Sequence, residues 1–149
     1  MKPLTANQMA GLLPVALFLH QVEEFHTNFP LVFSNYLGVQ LSDQDFITIN
    51  GVGLFIVSVL SLSYFFHKNN FILVALGSVL FVNGVVHTLV SLFTFSYMPG
   101  LITGAVLLLP LGFLVFRLLL LRLTERNRVL AIASGVVALI SVSLIAMNM

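Results

Sequence analysis

The sequence predicts an all-α integral membrane protein, a bundle of five transmembrane helices with the N-terminus inside and the C-terminus outside. With 59% hydrophobic and only 7% charged residues in 149, the chain has too little polar surface to cover a soluble globule. Its apolar runs fall at about 9–26, 46–66, 71–95, 101–121 and 129–147, each near the roughly 20 residues a bilayer span requires. Its basic residues are asymmetric. With the N-terminus inside, Lys2, Lys68, Arg117, Arg122, Arg126 and Arg128 all fall on the inner side and the outer loops carry neither Lys nor Arg. A single transmembrane domain over 1–149 is the expected organisation.

The first helix is predicted to be capped by Thr5 or Asn7 and to continue through Leu12–Phe25, with Pro14 as an internal kink that neighbouring helices tolerate. Lys2 and the apolar stretch from Met9 to Leu19 have the outline of a signal peptide, but no small-x-small cleavage site follows, so the stretch is expected to be a retained helix. From Thr27 to Phe46 the pattern turns irregular, with Asn28, Pro30, Asn35 and Gly38 between aromatic and apolar residues. This segment is expected to be a loop at the headgroup boundary, placed as a lid or a re-entrant piece. Ser42 followed by Asp45 resembles a capping box that opens the second helix. Short polar breaks at 67–70, 97–100 and 122–128 separate the remaining helices. Gly100 with Gly104, and Ala131 with Gly135, have the small-xxx-small spacing of close helix packing, and a homo-oligomer is one use of it. No internal repeat is visible.

Composition also narrows the function. No basic run suits a phosphate backbone, so no nucleic-acid partner is expected. The absence of cysteine leaves His, Asp and Glu as the strong metal-ligand candidates. Those residues concentrate in one place. His20, Glu23 and Glu24 lie three and four residues apart on one helical face, in the outer half of the first span, where an ionisable cluster is costly unless paired, hydrated or metal-bound. Two adjacent carboxylates repel, and a bound divalent metal, zinc or iron, is the simplest compensation. On the third span Asn83, His87, Ser91 and Thr94 share a face at the same depth. His87 is expected to join the site, and Ser91 and Thr94 to bond back to their own helix. Tyr97-Met98-Pro99-Gly100 has the residues of a type II turn, from which the Tyr97 hydroxyl can reach the cluster. Asn50 is at a suitable depth to join, and His26 is expected at the interface.

Three motifs, His20-Gln21-Val22-Glu23-Glu24, Asn83-Gly84-Val85-Val86-His87 and Tyr97-Met98-Pro99-Gly100, occur together and in order. In this the chain resembles the HXXEE family of small integral membrane proteins over nearly its whole length. The resemblance implies an enzymatic role with no assigned reaction, in some members beside antibiotic-biosynthesis genes, and a bacterial cytoplasmic membrane as the location.

Three functions are compatible with these residues. In a metal-dependent hydrolase or oxidoreductase, His20, Glu24 and His87 hold zinc or iron with a position open for water, Glu23 acts as general base, and Asn83 orients an imidazole. The substrate is then apolar or lipid-like and enters from the outer leaflet. In a metal-free isomerase or cyclase, Glu23 and Glu24 shuttle protons with an imidazole. The third is a non-catalytic lipid- or ligand-binding membrane subunit. Transport fits least, because the inner halves of the first and third spans carry no ionisable side chain.

Overall fold

The computed structural model describes residues 4–148. It is entirely helical, with no strand among the described residues. Helix α1 (Ala6–His26) is followed by a short α2 (Phe29–Leu37), then by α3 (Asp43–His67) and α4 (Asn70–Thr94). A continuous α5 (Leu101–Arg122) and α6 (Glu125–Ala146) complete the order. The described residues thus hold six helices rather than the five expected. Of these, α3, α4, α5 and α6 are long and apolar enough to cross a membrane. Helix α1 matches them in length, but the polar residues at both of its ends dilute its apolar character.

The additional helix lies in the segment expected to be a loop. Asn28 and Gly38, both left-handed at φ 60° and 68°, bracket it, and Pro30 stands in its first turn, where its missing N–H costs nothing. The residues that resemble loop punctuation are therefore the start and stop signals of a nine-residue helix. Other boundaries move for the same reason. Thr5 and Gln8 form a reciprocal capping box that starts α1 at Ala6 rather than near residue 9. Ser42 Oγ accepts the Asp45 N–H at 3.1 Å, which starts α3 at Asp43. Thr124 caps α6 at Glu125, so the break expected over 122–128 shrinks. Lys2 lies outside the described residues.

Helix α4 stands at the centre, in contact with α1, α3, α5 and α6. Leu13, Leu17, Leu73, Leu80, Leu108 and Val115 form much of the buried apolar core, while Phe55, Phe66 and Phe93 are exposed. Small residues set the spacing. A Cβ on Gly135 would stand 2.5 Å from the Ala75 carbonyl oxygen, and one on Gly84 2.7 Å from that of Gly104. The two small-residue pairs noted in the sequence are thus engaged within the chain. Between Gly104 and Leu108 helix α5 widens to a π-helical turn, with the Leu109 N–H returning to the Gly104 carbonyl. Pro110, which has no N–H to continue the α-helical ladder, follows immediately. The widened turn lies against α4 beside His87.

Candidate metal centre

Helix α1 presents His20 and Glu24 one turn apart, and α4 presents His87 across from them. All three are buried, and one ligand atom from each lies within 4.8 Å of the others. Glu24 Oε1 stands 3.4 Å from His20 Nε2 and 3.2 Å from His87 Nε2. The imidazoles meet edge to face, with centroids 4.8 Å apart. Despite its proximity to Glu24, His20 Nε2 makes no hydrogen bond, and neither does His87 Nδ1. Buried polar atoms without partners are uncommon, and here one of them points at a carboxylate.

The fourth wall is the turn after α4. The Leu101 N–H donates to the Met98 carbonyl at 2.9 Å and Gly100 has φ 86° and ψ −1°, which is the expected type II turn. Glycine is required here twice over. A side chain at that φ is strained, and a Cβ would lie 2.6 Å from His20 Cε1 and 3.0 Å from both Glu24 Cγ and His87 Cε1. Ser91 Oγ accepts the Met98 N–H at 2.8 Å and ties the turn to α4. That corrects the expectation of local back-bonding for Ser91, which holds for Thr94, whose hydroxyl donates to the Val90 carbonyl at 2.7 Å.

Glu23 occupies a different setting from Glu24. Helix α5 begins at Leu101 with Gly100 as its cap, so no side chain of its own satisfies the first N–H groups. Glu23 supplies what is missing, accepting from Ile102 N at 3.0 Å and Thr103 N at 2.6 Å. The hydroxyls of Thr103 and Tyr97 also donate to it. Burial, and then the carboxylate beside it, raise the Tyr97 phenol above its ordinary range, so it stays protonated at neutral pH and donates a hydrogen bond to Glu23. Glu23 reaches His20 only through the Thr103 hydroxyl, which lies 2.9 Å from His20 Nδ1. Neither Thr103 nor this capping role was singled out in the sequence. The available signal was the uncapped start of α5 after Pro99-Gly100.

Asn83 lies one turn before His87 and makes no hydrogen bond to either imidazole among the described residues, so the expected orienting contact is absent. Its side chain faces a cavity of about 690 Å³ that also meets Glu24, His87 and Asn50. The remaining walls are largely apolar, and Phe29, Phe33, Tyr36 and Leu37 of α2 form one of them. A smaller cavity of about 300 Å³ shares Asn50 and Asn83 with it. Asn50 Oδ1 accepts from Gln21 Nε2 at 3.1 Å, linking α1 to α3 rather than joining the His/Glu group. His26 is exposed and its Nδ1 pairs with the Val22 carbonyl at 2.9 Å.

No curated protein and no solved structure matches the chain. A family model does, over residues 11–115, and its description is "Protein of unknown function with HXXEE motif". That span takes in more than half of the chain and all three motifs. The chain, with its four membrane-length helices and its buried His/Glu group, belongs to the HXXEE family.

Proposed function

We propose that the chain is a membrane-embedded metal-dependent enzyme, a hydrolase or oxidoreductase, that holds zinc or iron with His20 Nε2, Glu24 and His87 Nε2. The observation that carries this reading is the convergence of three buried ligand atoms within 4.8 Å of one another. An unpartnered imidazole nitrogen 3.4 Å from a carboxylate oxygen, with a second imidazole nitrogen 3.2 Å from that same oxygen, is a donor set that a divalent cation can draw together. Two imidazoles and one carboxylate are ligands that suit both zinc and iron and leave positions free for water or substrate. A metal there would supply Lewis acidity or redox chemistry.

The chain's own groups define the rest. Glu24 and His87 form both part of the metal group and part of the cavity wall, so a substrate in the cavity meets the centre directly. The apolar walls suit an apolar or lipid-like molecule, and the Asn83 and Asn50 amides are placed to hold its polar group. Glu23, with four donors on its two oxygens, serves here to position rather than to act as general base. We take α1 as a fifth span, about 31 Å long at 1.5 Å per residue. Lys68 Nζ donates to Asn7 Oδ1 at 3.0 Å, which puts the start of α1 and the α3–α4 turn at one end. With that end inside, the centre opens toward the outer leaflet of a bacterial cytoplasmic membrane.

Elemental mass spectrometry of protein purified in detergent without chelators tests the reading. Near-stoichiometric zinc or iron is expected, lost in the triple variant His20→Ala, Glu24→Gln, His87→Ala, and the element distinguishes hydrolysis from oxidation. Metal-free wild type would overturn it in favour of acid/base chemistry.

A further inference from the structure

We infer that Thr103 is a positioning residue that fixes the tautomer of His20, with Glu23 as the anchor that fixes Thr103. The inference builds on the metal reading but starts from proton counting. A threonine hydroxyl has one proton. At Thr103 that proton is directed to Glu23 Oε2, and the backbone N–H of the same residue donates to the same oxygen at 2.6 Å. The other carboxylate oxygen accepts from Ile102 N and the Tyr97 hydroxyl, so the acceptor sites of Glu23 are filled. With its proton committed, Thr103 Oγ1 can serve His20 Nδ1, 2.9 Å away, only as an acceptor. Nδ1 therefore carries the imidazole proton. His20 Nε2 is left with a lone pair in the ring plane, on the side of Glu24 and His87, where it has no hydrogen bond.

This arrangement determines which nitrogen is available. In a metal-ligating histidine the hydrogen bond at one ring nitrogen sets the tautomer and leaves the other to bind. Here the chain of contacts runs from the N-terminus of α5 through Glu23 and Thr103 to His20, so a capped helix start becomes the reference for a ligand on another helix. Without the Thr103 hydroxyl, His20 would be free to place its proton on Nε2 and donate to Glu24, which would block the ligand position.

Nitrogen-15 NMR of histidine-labelled protein, treated with chelator and held in detergent micelles, tests the assignment, with the His20 signals identified by their loss in His20→Ala. The wild type is expected to show His20 protonated at Nδ1 and unprotonated at Nε2. In Thr103→Val the Nε2-protonated form should rise and zinc affinity should fall by about 10–100-fold, while Thr103→Ser should restore both. An Nε2-protonated His20 in the wild type overturns the inference without any variant, as does a Thr103→Val protein with wild-type tautomer and zinc affinity. A wild type that shows the Nδ1-protonated form but binds no metal supports the tautomer assignment and defeats the metal reading alone.

Discussion

Glu23 and Glu24 are adjacent in the chain, yet the pockets around them are built on opposite terms. Around Glu23 everything donates: two backbone N–H groups and two hydroxyls converge on one carboxylate. Around Glu24 the neighbours are two imidazole Nε2 atoms that face Oε1, and that of His20 forms no hydrogen bond. A carboxylate surrounded by donors is structurally complete. One set between two imidazoles can share a proton or a metal with them. The 100° step between consecutive residues of α1 is enough to turn one acid toward the helix start of α5 and its neighbour toward His87. Paired acids in a sequence therefore need not act as a pair.

Gly100 is the position where both pockets can be broken at once, and it carries the largest expected effect. It is the cap of the helix that Glu23 completes and its missing side chain is the space beside His20, Glu24 and His87. Gly100→Ala combines a positive-φ penalty with overpacking against rigid rings, together about 2–4 kcal/mol. The expected result is a lower thermal midpoint in detergent together with loss of bound metal. A variant with wild-type stability and metal content would show that the turn is not the wall of the centre.

The two acids can then be separated. Glu24→Gln should lose the metal while keeping its helical circular dichroism and its elution as a folded species. Glu23→Gln should cost the protein about 1–2 kcal/mol, because an amide directs its own N–H groups at donors, and should weaken metal binding less than Glu24→Gln does, because Glu23 acts on His20 only through Thr103. Parallel metal analysis and thermal unfolding of the two variants check the contrast. Equal loss of metal in both would mean that the pockets act as one unit.

Much of this architecture was legible in the sequence, and what was not has a physical reason. Long apolar runs declare themselves because a bilayer-length helix needs nothing but composition and length, so the four long spans lie close to their expected limits. Helix α2 was not legible because Asn28, Pro30 and Gly38 serve equally as loop residues and as helix punctuation. His20, Glu24 and His87 could be named because helical periodicity and membrane depth converge on them. The role of Glu23 could not, since its partners lie 74–80 positions further along the chain. Spacing along one helix says which residues share a face but not which distant helix start that face will meet. Ser91 was misassigned for the same reason. Ser91 bonds the returning Met98 backbone, and Asn83 faces the cavity.

The smallest effect belongs to Tyr97, and it is the finest test of the contrast. Its hydroxyl is one of four donors to Glu23, and the side chain is 46% exposed. Water can replace part of what Tyr97→Phe removes, so the loss should fall near 0.5 kcal/mol, at the low end for a hydrogen bond. Three donors remain, Thr103 keeps its acceptor, and His20 keeps its proton on Nδ1. Thermal unfolding should therefore shift slightly while metal stoichiometry stays at the wild-type value. If the phenylalanine variant instead released the metal, the Tyr97 proton would have to matter beyond Glu23. The boundary between the donor-filled pocket and the ligand pocket would then lie on the far side of Thr103.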